Sequence, residues 1–426
     1  IKEIHDRIQG PDKNTPGAWS DFEYDFSGST FFYPVDFTHS YYAKPVNFSG
    51  SAYWGEADFS YSTYMDEVYF SESSYQGRAG FNGSIYQGEA DFRGSTYRGS
   101  AGFARSTYRG GAYFNGSTYL SEAVFRGSVY RCATTFNDSV YHYWVDLRGS
   151  TYQGAADFGG SIYRYWADFR GSTYRRWAYF NDSICCGWAG LSHSVYEGEA
   201  DFSGSTYKGK ADFSGSTYKK DVTFSMFSDT VKITRSTYHK VDFSGSTYQG
   251  KACFAGSTYK GVAYFHNSIY QGEVYFRGST YEGGADFSGS IFYSEICFNY
   301  NKYSITYSRF VDYAPQFYDK KNRKNTLFGS HNNDFTVDID KGYPINLDSE
   351  GLPLGCKFLT SEQKEYLADK FQEIDETKSK LLEVKDDEEK ANLIKTLLSF
   401  YYDIRNWHWE ATSVNVEDVA AEDTES

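Results

Sequence analysis

The chain has 426 residues, and aromatic side chains make up 20% of it, with 42 Tyr and 35 Phe beside 40 Gly, 7 Pro and 2 Met. Ordinary globular proteins are not composed in this way, and so many rings argue against disorder despite a mean hydropathy of −0.62. The net charge of −14 is uneven: the last 66 residues, from Ser361, hold 18 acidic against 8 basic side chains, which leaves 38 against 34 before them. No run of about 18 apolar residues occurs, so we expect no transmembrane helix. Six Cys without CxxC spacing offer neither a disulfide framework nor a metal or haem site.

Residues 1–24 contain Pro11, Pro16 and Gly17 and precede any repeat, so we predict an N-terminal cap or extension there. The sequence begins with Ile1 and not with Met, which we interpret as a processed form or a fragment. A removed signal peptide would fit this start. We therefore favour an extracellular, cell-surface or periplasmic location over a cytoplasmic one.

From residue 26 onward, Phe recurs every 11 residues. Nineteen slots from Phe26 to Phe224 keep one register, in which Leu147 and Leu191 are the only substitutions, and the register resumes at Phe243 and runs to Phe298. A second aromatic slot follows five residues after each Phe. Tyr occupies 22 of the 25 second slots when Tyr238, 14 residues after Phe224, is counted for the slot at Asp229, and the exceptions are then Phe31, Cys185 and Phe292. The unit therefore reads A-D-F-S-G followed by S-T-Y-x-G-x.

The residues around each ring predict which way the side chains point. Small residues such as Ala57 and Ser95 stand two before a ring, and on an extended chain a two-residue offset places both on one face, here the inner one. Asp or Thr before the ring, and Ser, Arg, Lys or Gln after it, should then face water. Gly two places later permits a corner, whereas in a helix each Gly would cost about 1 kcal/mol. Because a buried phenol needs a partner, we expect the Tyr hydroxyls to emerge at the corners.

The repeated A-D-F-S-G and S-T-Y-K-G units resemble the pentapeptide-repeat family, in the variant where a sixth residue enlarges every second unit. The resemblance covers residues 25–307. It implies an all-β solenoid, a right-handed quadrilateral β-helix of about 22 residues per coil and about 13 coils. The fold itself does not specify a function, because the repeat positions are structural. Coils of this kind are stabilised by stacking on their neighbours.

The repeat is interrupted once. Phe243 follows 19 residues after Phe224, which we interpret as a 22-residue step that has lost three residues. Phe227, Val231 and Ile233 lie in the interruption and could refill the core with altered spacing. We predict a bend or bulge of the rod between Phe224 and Tyr238, and a binding loop is the alternative.

After the repeat, residues 308–360 read as an irregular cap or linker that closes the last coil. From Thr360 the pattern changes to apolar residues at helical spacing, with a helix-start signature at Thr360–Gln363. We predict an α-helical segment over residues 361–412, with helices near 361–384 and 386–410. Residues 413–426 form an acidic tail that we expect to be disordered.

Three Trp residues form the clearest candidate site. Trp144, Trp166 and Trp188 are 22 residues apart, so they should form a vertical ladder along one corner, extended by Tyr143 and Tyr165. Contiguous exposed aromatics indicate a surface for a partner protein or a carbohydrate. The alternative is that the rings pack against local Arg side chains or fill a wide corner.

Other candidates carry less chemistry. Asp is the commonest residue of its slot, so stacked pairs such as Asp146 and Asp168, or Asp157 and Asp201 at a two-coil interval, are interpreted as solvated repeat positions rather than catalytic carboxylates. The eight His share no slot, and no nucleophile–base arrangement is readable. Two further pairs involve Cys: Cys253 and Cys297 share a slot two coils apart, too far for a disulfide, and Cys185 and Cys186 are adjacent, which leaves a vicinal redox role open.

We therefore predict a non-enzymatic structural scaffold without cofactors or metals, with itself or another protein as its partner and no direct binding of nucleic acid. Residues 1–24 look like thin cover for the first coil, and an uncovered strand edge pairs with other chains, which favours end-to-end assembly into an oligomer or filament. Some members of the family are acidic rods that mimic DNA and bind type II topoisomerases, an alternative that the nearly neutral repeat region disfavours. Charge transport along stacked rings is a third hypothesis.

Overall fold

A computed structural model describes residues 2–12, 15–224, 236–299, 307–384 and 387–413. Short strands form four walls in each coil, and each strand pairs in parallel with its counterpart one coil away. The helices are α1 (Lys2–Ile8), α2 (Ser361–Glu383) and α3 (Asp387–Ala411). The predicted β-solenoid with a C-terminal helical segment is thereby confirmed. Within the described ranges, no helix combines the length and the apolar character that crossing a membrane requires.

The four walls are numbered in chain order, and their strands repeat every 22 residues except where stated. Wall 1 runs from Tyr24–Asp25 to Val222–Thr223 and continues with Ala252–Cys253, Val274–Tyr275 and Ile296–Cys297. Wall 2 runs from Thr30–Phe31 to Ile184–Cys185 and continues with Thr206–Asp212, Thr237–Asp242, Thr258–Tyr259, Thr280–Tyr281 and Arg309–Phe310. Wall 3 runs from Val35–Asp36 to Ala189–Gly190, shares Thr206–Asp212 and Thr237–Asp242 with wall 2, and ends with Ala263–Tyr264 and Ala285–Asp286. Wall 4 runs from Tyr41–Tyr42 to Thr217–Tyr218 and continues with Thr247–Tyr248, Ile269–Tyr270, Ile291–Phe292, Leu327–Phe328 and Lys357–Phe358.

The Phe rings of walls 1 and 3 fill the centre of the rod. Within a wall they stack face to face, as Phe92 does on Phe114 at 4.9 Å and 3°. Between the walls they meet edge to face, as Phe103 meets Phe114 at 5.2 Å and 78°. The predicted small inward residues, such as Ala57 and Ser95, are fully buried. The 11-residue period thus places most of the Phe rings against rings of their own wall and of the opposite wall; Phe169, which lies between Leu147 and Leu191, meets only rings of other walls.

Ser and Asp hold the corners between the walls. The Ser62 hydroxyl donates to the Phe37 carbonyl at 2.8 Å, while the Ser62 N–H donates to the Ser84 hydroxyl of the next coil at 3.1 Å. Asp58 accepts the backbone N–H of Ser60 at 3.0 Å, which is why Asp precedes so many of the rings. The corner after a Phe has a positive φ, as at Gly94 with +64°, and this explains the recurrent Gly.

The Tyr hydroxyls of walls 2 and 4 do not emerge at the corners, so that prediction was wrong. Tyr97 is completely buried between Tyr75 and Tyr119, each at 4.9 Å, and its hydroxyl has no full hydrogen bond. Burial raises the pKa of the Tyr97 phenol, and the Ser95 hydroxyl offsets part of the increase. Each Tyr ring stacks on the Tyr rings of the coils before and after it, and this stacking keeps the phenol inside the rod even where its hydroxyl has no hydrogen-bond partner.

The interruption of the repeat is an insertion and not a loss. Phe254 stacks on Phe224 at 4.7 Å and 2°, and Phe243 stacks on Phe213 at 5.0 Å. Stacked neighbours here are 30 residues apart in walls 1 and 3, and 31 apart for Tyr207 and Tyr238 in wall 2, instead of 22. The continuous stacking contradicts a bend of the walls. The predicted bulge or binding loop, with Phe227, Val231 and Ile233, falls on residues 225–235, which lie outside the described residues.

The solenoid continues past residue 307. Phe310 stacks on Tyr281 at 4.6 Å, and the strand Leu327–Phe328 pairs with both Ile291–Phe292 and Lys357–Phe358. The segment 308–360, predicted as an irregular cap or linker, thus also extends the rod. The two predicted helices agree with α2 and α3, and Thr360 caps α2 by accepting the Gln363 N–H. Of the acidic tail, only Ser413 is described.

The N-terminal residues cover the first coil more completely than the sequence predicts. Helix α1 ends at Ile8, which is fully buried in the main core. Gln9 donates its side-chain amide to the Thr38 carbonyl at 2.6 Å, and Ala43 N–H donates to the Ser20 carbonyl at 2.9 Å. A seven-residue helix was not readable from the sequence because too few residues are available to show a period.

Candidate interaction surface

The three predicted Trp residues do line one corner, where wall 2 turns into wall 3. Each Trp precedes a wall 3 strand in three successive coils, and these strands pair in register. The side chains surround a groove of about 280 Å³ that also contains Asp and Arg side chains of wall 3. The lining residues of the groove are Trp144, Trp166, Trp188, Asp146, Asp168, Arg148 and Arg170, with Val145.

The two predicted Tyr residues extend this aromatic strip, which we define as Tyr143, Trp144, Tyr165, Trp166 and Trp188. Tyr143 and Tyr165 stack at 5.5 Å and 3°, and Tyr165 lies 5.8 Å from Trp166. Trp166 meets Trp188 edge to face at 6.2 Å. Trp166 is 55% exposed and Tyr165 is 49% exposed, so the centre of the strip is open to solvent.

Part of the strip also packs against its own wall. The Trp188 ring lies across Gly190, where a Cβ atom would come within 2.4 Å of it. The Arg170 guanidinium lies 4.8 Å from the centre of the same ring. Trp144 and Trp188 are half-buried. Packing against Arg and exposure to solvent therefore occur in different rings of one strip.

The wall 3 carboxylates are not simply solvated, which corrects the sequence interpretation. Asp146 is buried, with only 1% of its surface exposed, because the Arg148 guanidinium folds over it with hydrogen bonds of 2.9 and 2.8 Å. Arg170 holds Asp168 in the same way, and Arg148 also reaches Asp168 at 3.4 Å. The hydrogen bonds to Asp146 raise the pKa of Arg148. The result is a ladder of paired charges beside the aromatic strip.

The remaining candidates are structural in this geometry. Asp157 accepts the Gly159 N–H at 2.9 Å, and burial raises the pKa of its carboxyl group. Tyr275 separates Cys253 from Cys297 in wall 1, as the two-coil interval predicts. None of the described residues forms a cluster of three His, Cys, Asp or Glu that could hold a metal ion.

The adjacent cysteines differ in environment. Cys185 replaces a ring between Tyr163 and Tyr207, and its burial raises the pKa of the thiol. Cys186 is half-exposed, and both thiols are free. A buried, protonated thiol is a poor nucleophile, which weakens the redox hypothesis.

Other exposed aromatics were not singled out from the sequence. Trp177 is 54% exposed before wall 1, and near the first coil Phe32, Tyr33 and Trp54 are 70%, 82% and 59% exposed. Their position in the repeat could have identified them, because in the other coils the residues at the same positions also point outward.

Comparison with known proteins identifies the repeat. Residues 243–291 match the model described as pentapeptide repeats (9 copies). No curated protein matches the sequence. Among solved structures, a trypsin-treated variant of QnrB1, described as a plasmid-mediated fluoroquinolone resistance protein, matches with 12% identity and a TM-score of 0.13 over 56% of this chain and 89% of the other. The resemblance in the sequence is therefore confirmed: the chain contains pentapeptide repeats and builds a parallel β-solenoid from them.

Proposed function

We propose that this protein is a non-catalytic scaffold that binds a partner protein through the aromatic strip. The observation that supports the proposal is the group of exposed rings Tyr143, Tyr165 and Trp166 on a rod whose other outward positions are mostly polar. Exposed aromatics that lie next to one another favour association, because each ring buries a large area with little loss of side-chain freedom.

The charges beside the strip favour a protein over a carbohydrate. Sugar hydroxyls need free hydrogen-bonding groups near the stacking ring, but the carboxylates of Asp146 and Asp168 are already paired with Arg148 and Arg170. A ladder of neutralised charges around apolar rings instead resembles the composition of protein interfaces, in which aromatic residues and Arg are enriched.

The test compares the triple variant Trp144→Ser, Trp166→Ser, Trp188→Ser with the control Trp177→Ser, which removes an exposed ring elsewhere on the rod. A protein captured by the wild type would be identified, purified and titrated against both variants. We expect at least a tenfold loss of affinity for the triple variant and none for the control. Equal binding by all three proteins would refute the proposal. Because Trp188 packs on Gly190, its replacement could disturb the wall. The single variant Trp166→Ser, and circular dichroism of all variants, therefore show whether a loss of affinity reflects misfolding.

Self-assembly end to end is a second candidate. Because α1 covers the first coil, an unprotected strand edge no longer supports this assembly. Both ends of the rod still expose large apolar side chains. Near the first coil these include Tyr33 and Trp54, and near the last coil Ile339 and Leu354 are 66% and 57% exposed. A contact between unlike ends that does not close would give a filament.

Light scattering over a range of concentrations tests this assembly. We expect the mass of the wild type to rise at micromolar concentration and above, and the variant Tyr33→Ser with Trp54→Ser to remain monomeric. The control Trp177→Ser should associate like the wild type. A constant monomeric mass for the wild type would end this hypothesis.

DNA mimicry with a type II topoisomerase as partner remains the alternative from the family resemblance. It requires uncompensated negative charge along the rod. The pairing of Asp91 with Arg93, and of Asp146 with Arg148, works against it.

A further inference from the structure

The C-terminal hairpin formed by α2 and α3 leaves a cleft of about 470 Å³ between itself and the side of the solenoid. On the rod, the cleft is bounded by the corner before wall 4 and by the wall 4 residues Thr217 and Thr247. On the hairpin, it is bounded by Phe371 and Ile374 of α2 and by Ile404 of α3. A space of this size is in the range of sites that bind small molecules, about 300–1,000 Å³.

The cleft originates in a change of residue type along one outward column of wall 4. Ile291 and Ile269 occupy this column where the hairpin rests on it, and they are 0% and 5% exposed. Thr247 and Thr217 occupy it in the next two coils. Thr is smaller and more polar than Ile, so the wall no longer fills the space under the hairpin.

The lining of the cleft divides into an apolar and a polar side. Phe371, Ile374 and Ile404 are at most 5% exposed and form the apolar side. Ser and Thr residues of the rod, among them Thr217 and Thr247, line the opposite side, and Asn406 of α3 adds a polar group on the hairpin. His408 also borders the cleft, but its Nε2 is engaged with the Gly289 carbonyl at 2.7 Å.

A single cation completes the lining. Arg405 is exposed and borders the cleft, and within the described part of the chain it makes no hydrogen bond or ion pair. A guanidinium group binds a carboxylate with two parallel hydrogen bonds. We propose that the cleft binds a small amphipathic carboxylic acid, with its aromatic or branched apolar group against Phe371 and its carboxylate at Arg405.

The proposal is tested with 3-phenylpropionate as a probe and 3-phenylpropionamide as its uncharged counterpart, using the full chain. Saturation-transfer NMR should show binding of the acid with a dissociation constant of about 1 mM, which is reasonable for a ligand of about eleven non-hydrogen atoms. The amide should bind about tenfold more weakly. Absence of saturation transfer from the acid would mean that the cleft holds only water and would overturn the proposal.

Variants locate the site. Thr247→Ile extends the apolar column into the cleft and should abolish binding while the melting temperature stays the same or rises. The control Thr151→Ile makes the same change in the same column far from the hairpin and should bind like the wild type. Arg405→Gln should weaken binding of the acid about tenfold and leave the amide unaffected. Undiminished binding of the acid by Thr247→Ile or by Arg405→Gln would overturn the assignment.

Discussion

The solenoid and the C-terminal hairpin are stabilised by different kinds of contact. In the solenoid, each coil forms backbone hydrogen bonds with both neighbouring coils and stacks its rings on theirs. Phe114, for example, stacks between Phe92 and Phe136. The hairpin lies on the side of the last coils through a separate apolar cluster and a few polar contacts. The comparison indicates that contacts between neighbouring coils make the solenoid unfold cooperatively, whereas the hairpin can detach while the solenoid stays folded.

The largest expected effect breaks the stacking in the middle of the rod. Phe114→Ala removes a fully buried ring and should reduce the free energy of unfolding by about 3–5 kcal/mol, because the surrounding coils cannot close the cavity. Urea unfolding followed by circular dichroism measures this change. Phe22 is 54% exposed, so Phe22→Ala should cost less than about 0.5 kcal/mol. Similar losses in both variants would contradict the stacking model.

Acid should act on the hairpin and spare the solenoid. Burial lowers the pKa of His408 to about 4, and the nearby positive charges of Lys324 and Arg405 add to this, while the hydrogen bond to Gly289 opposes it. Since the pKa in the folded state lies below that of the unfolded chain, about 6.5, the contribution of the neutral ring is complete above pH 6.5 and is lost as the pH falls toward 4. The loss reaches about 3 kcal/mol.

Hydrogen exchange measures this effect, with the solenoid as internal reference. We expect α3 to lose protection between pH 6.5 and 4 while residues 37–223 keep theirs. His408→Gln keeps an amide donor for the Gly289 carbonyl but does not titrate, so its α3 should be insensitive to pH in this range. Equal pH dependence in the variant would assign the effect to other groups.

A smaller loss is expected from the buried lysine that fastens the hairpin. Lys324 donates to the Trp409 carbonyl at 2.8 Å and to the Ser413 hydroxyl at 2.7 Å, and its ammonium lies 3.4 Å from the centre of the Trp409 ring. Lys324→Met should destabilise docking of α3 by about 1–2 kcal/mol, because gained apolar burial offsets part of the lost bonds. Limited proteolysis of the hairpin reports the change, and the exposed Lys321→Met should show none.

The smallest expected effect on stability comes from removing a Tyr hydroxyl inside the solenoid. Tyr97→Phe removes a buried hydroxyl without a full hydrogen bond and should be neutral or stabilise by up to about 1 kcal/mol. The Tyr238 hydroxyl donates to the Phe224 carbonyl at 3.3 Å, so Tyr238→Phe should destabilise by about 1 kcal/mol. Thermal unfolding of both variants shows whether the sign differs as expected.

The sequence predicts the solenoid well because the period of the repeat sets the number of residues in each coil and therefore which residues stack. Rings 22 residues apart stack, so the column of Phe92 and Phe114 and the corner of Trp166 and Trp188 follow from counting. Contacts that depend on side-chain conformation were not readable. The burial of Asp146 depends on how Arg148 folds back over it.

Docking of the hairpin could not be predicted for a different reason. Helical spacing indicates that α2 has an apolar face, but it does not indicate which wall that face covers. The available signal was Ile in place of Thr at Ile269 and Ile291 in one outward column, but Ile85 occupies the same column far from the hairpin. Two substitutions of this kind are not distinguishable from ordinary variation in a single sequence.

The extra residues between Phe224 and Phe254 show how such a chain can change its length. Because most wall residues have a partner 22 positions away, an odd-numbered deletion or insertion within a wall would shift the side chains that follow from one face to the other. Here the surplus is confined between two rings that remain 4.7 Å apart, and the later coils keep their register. The residues gained between Phe224 and Ser236, and the one residue lost between Tyr238 and Val241 relative to Tyr207–Ala211, both fall between paired wall residues, so the length changes that this protein carries here leave the paired walls intact.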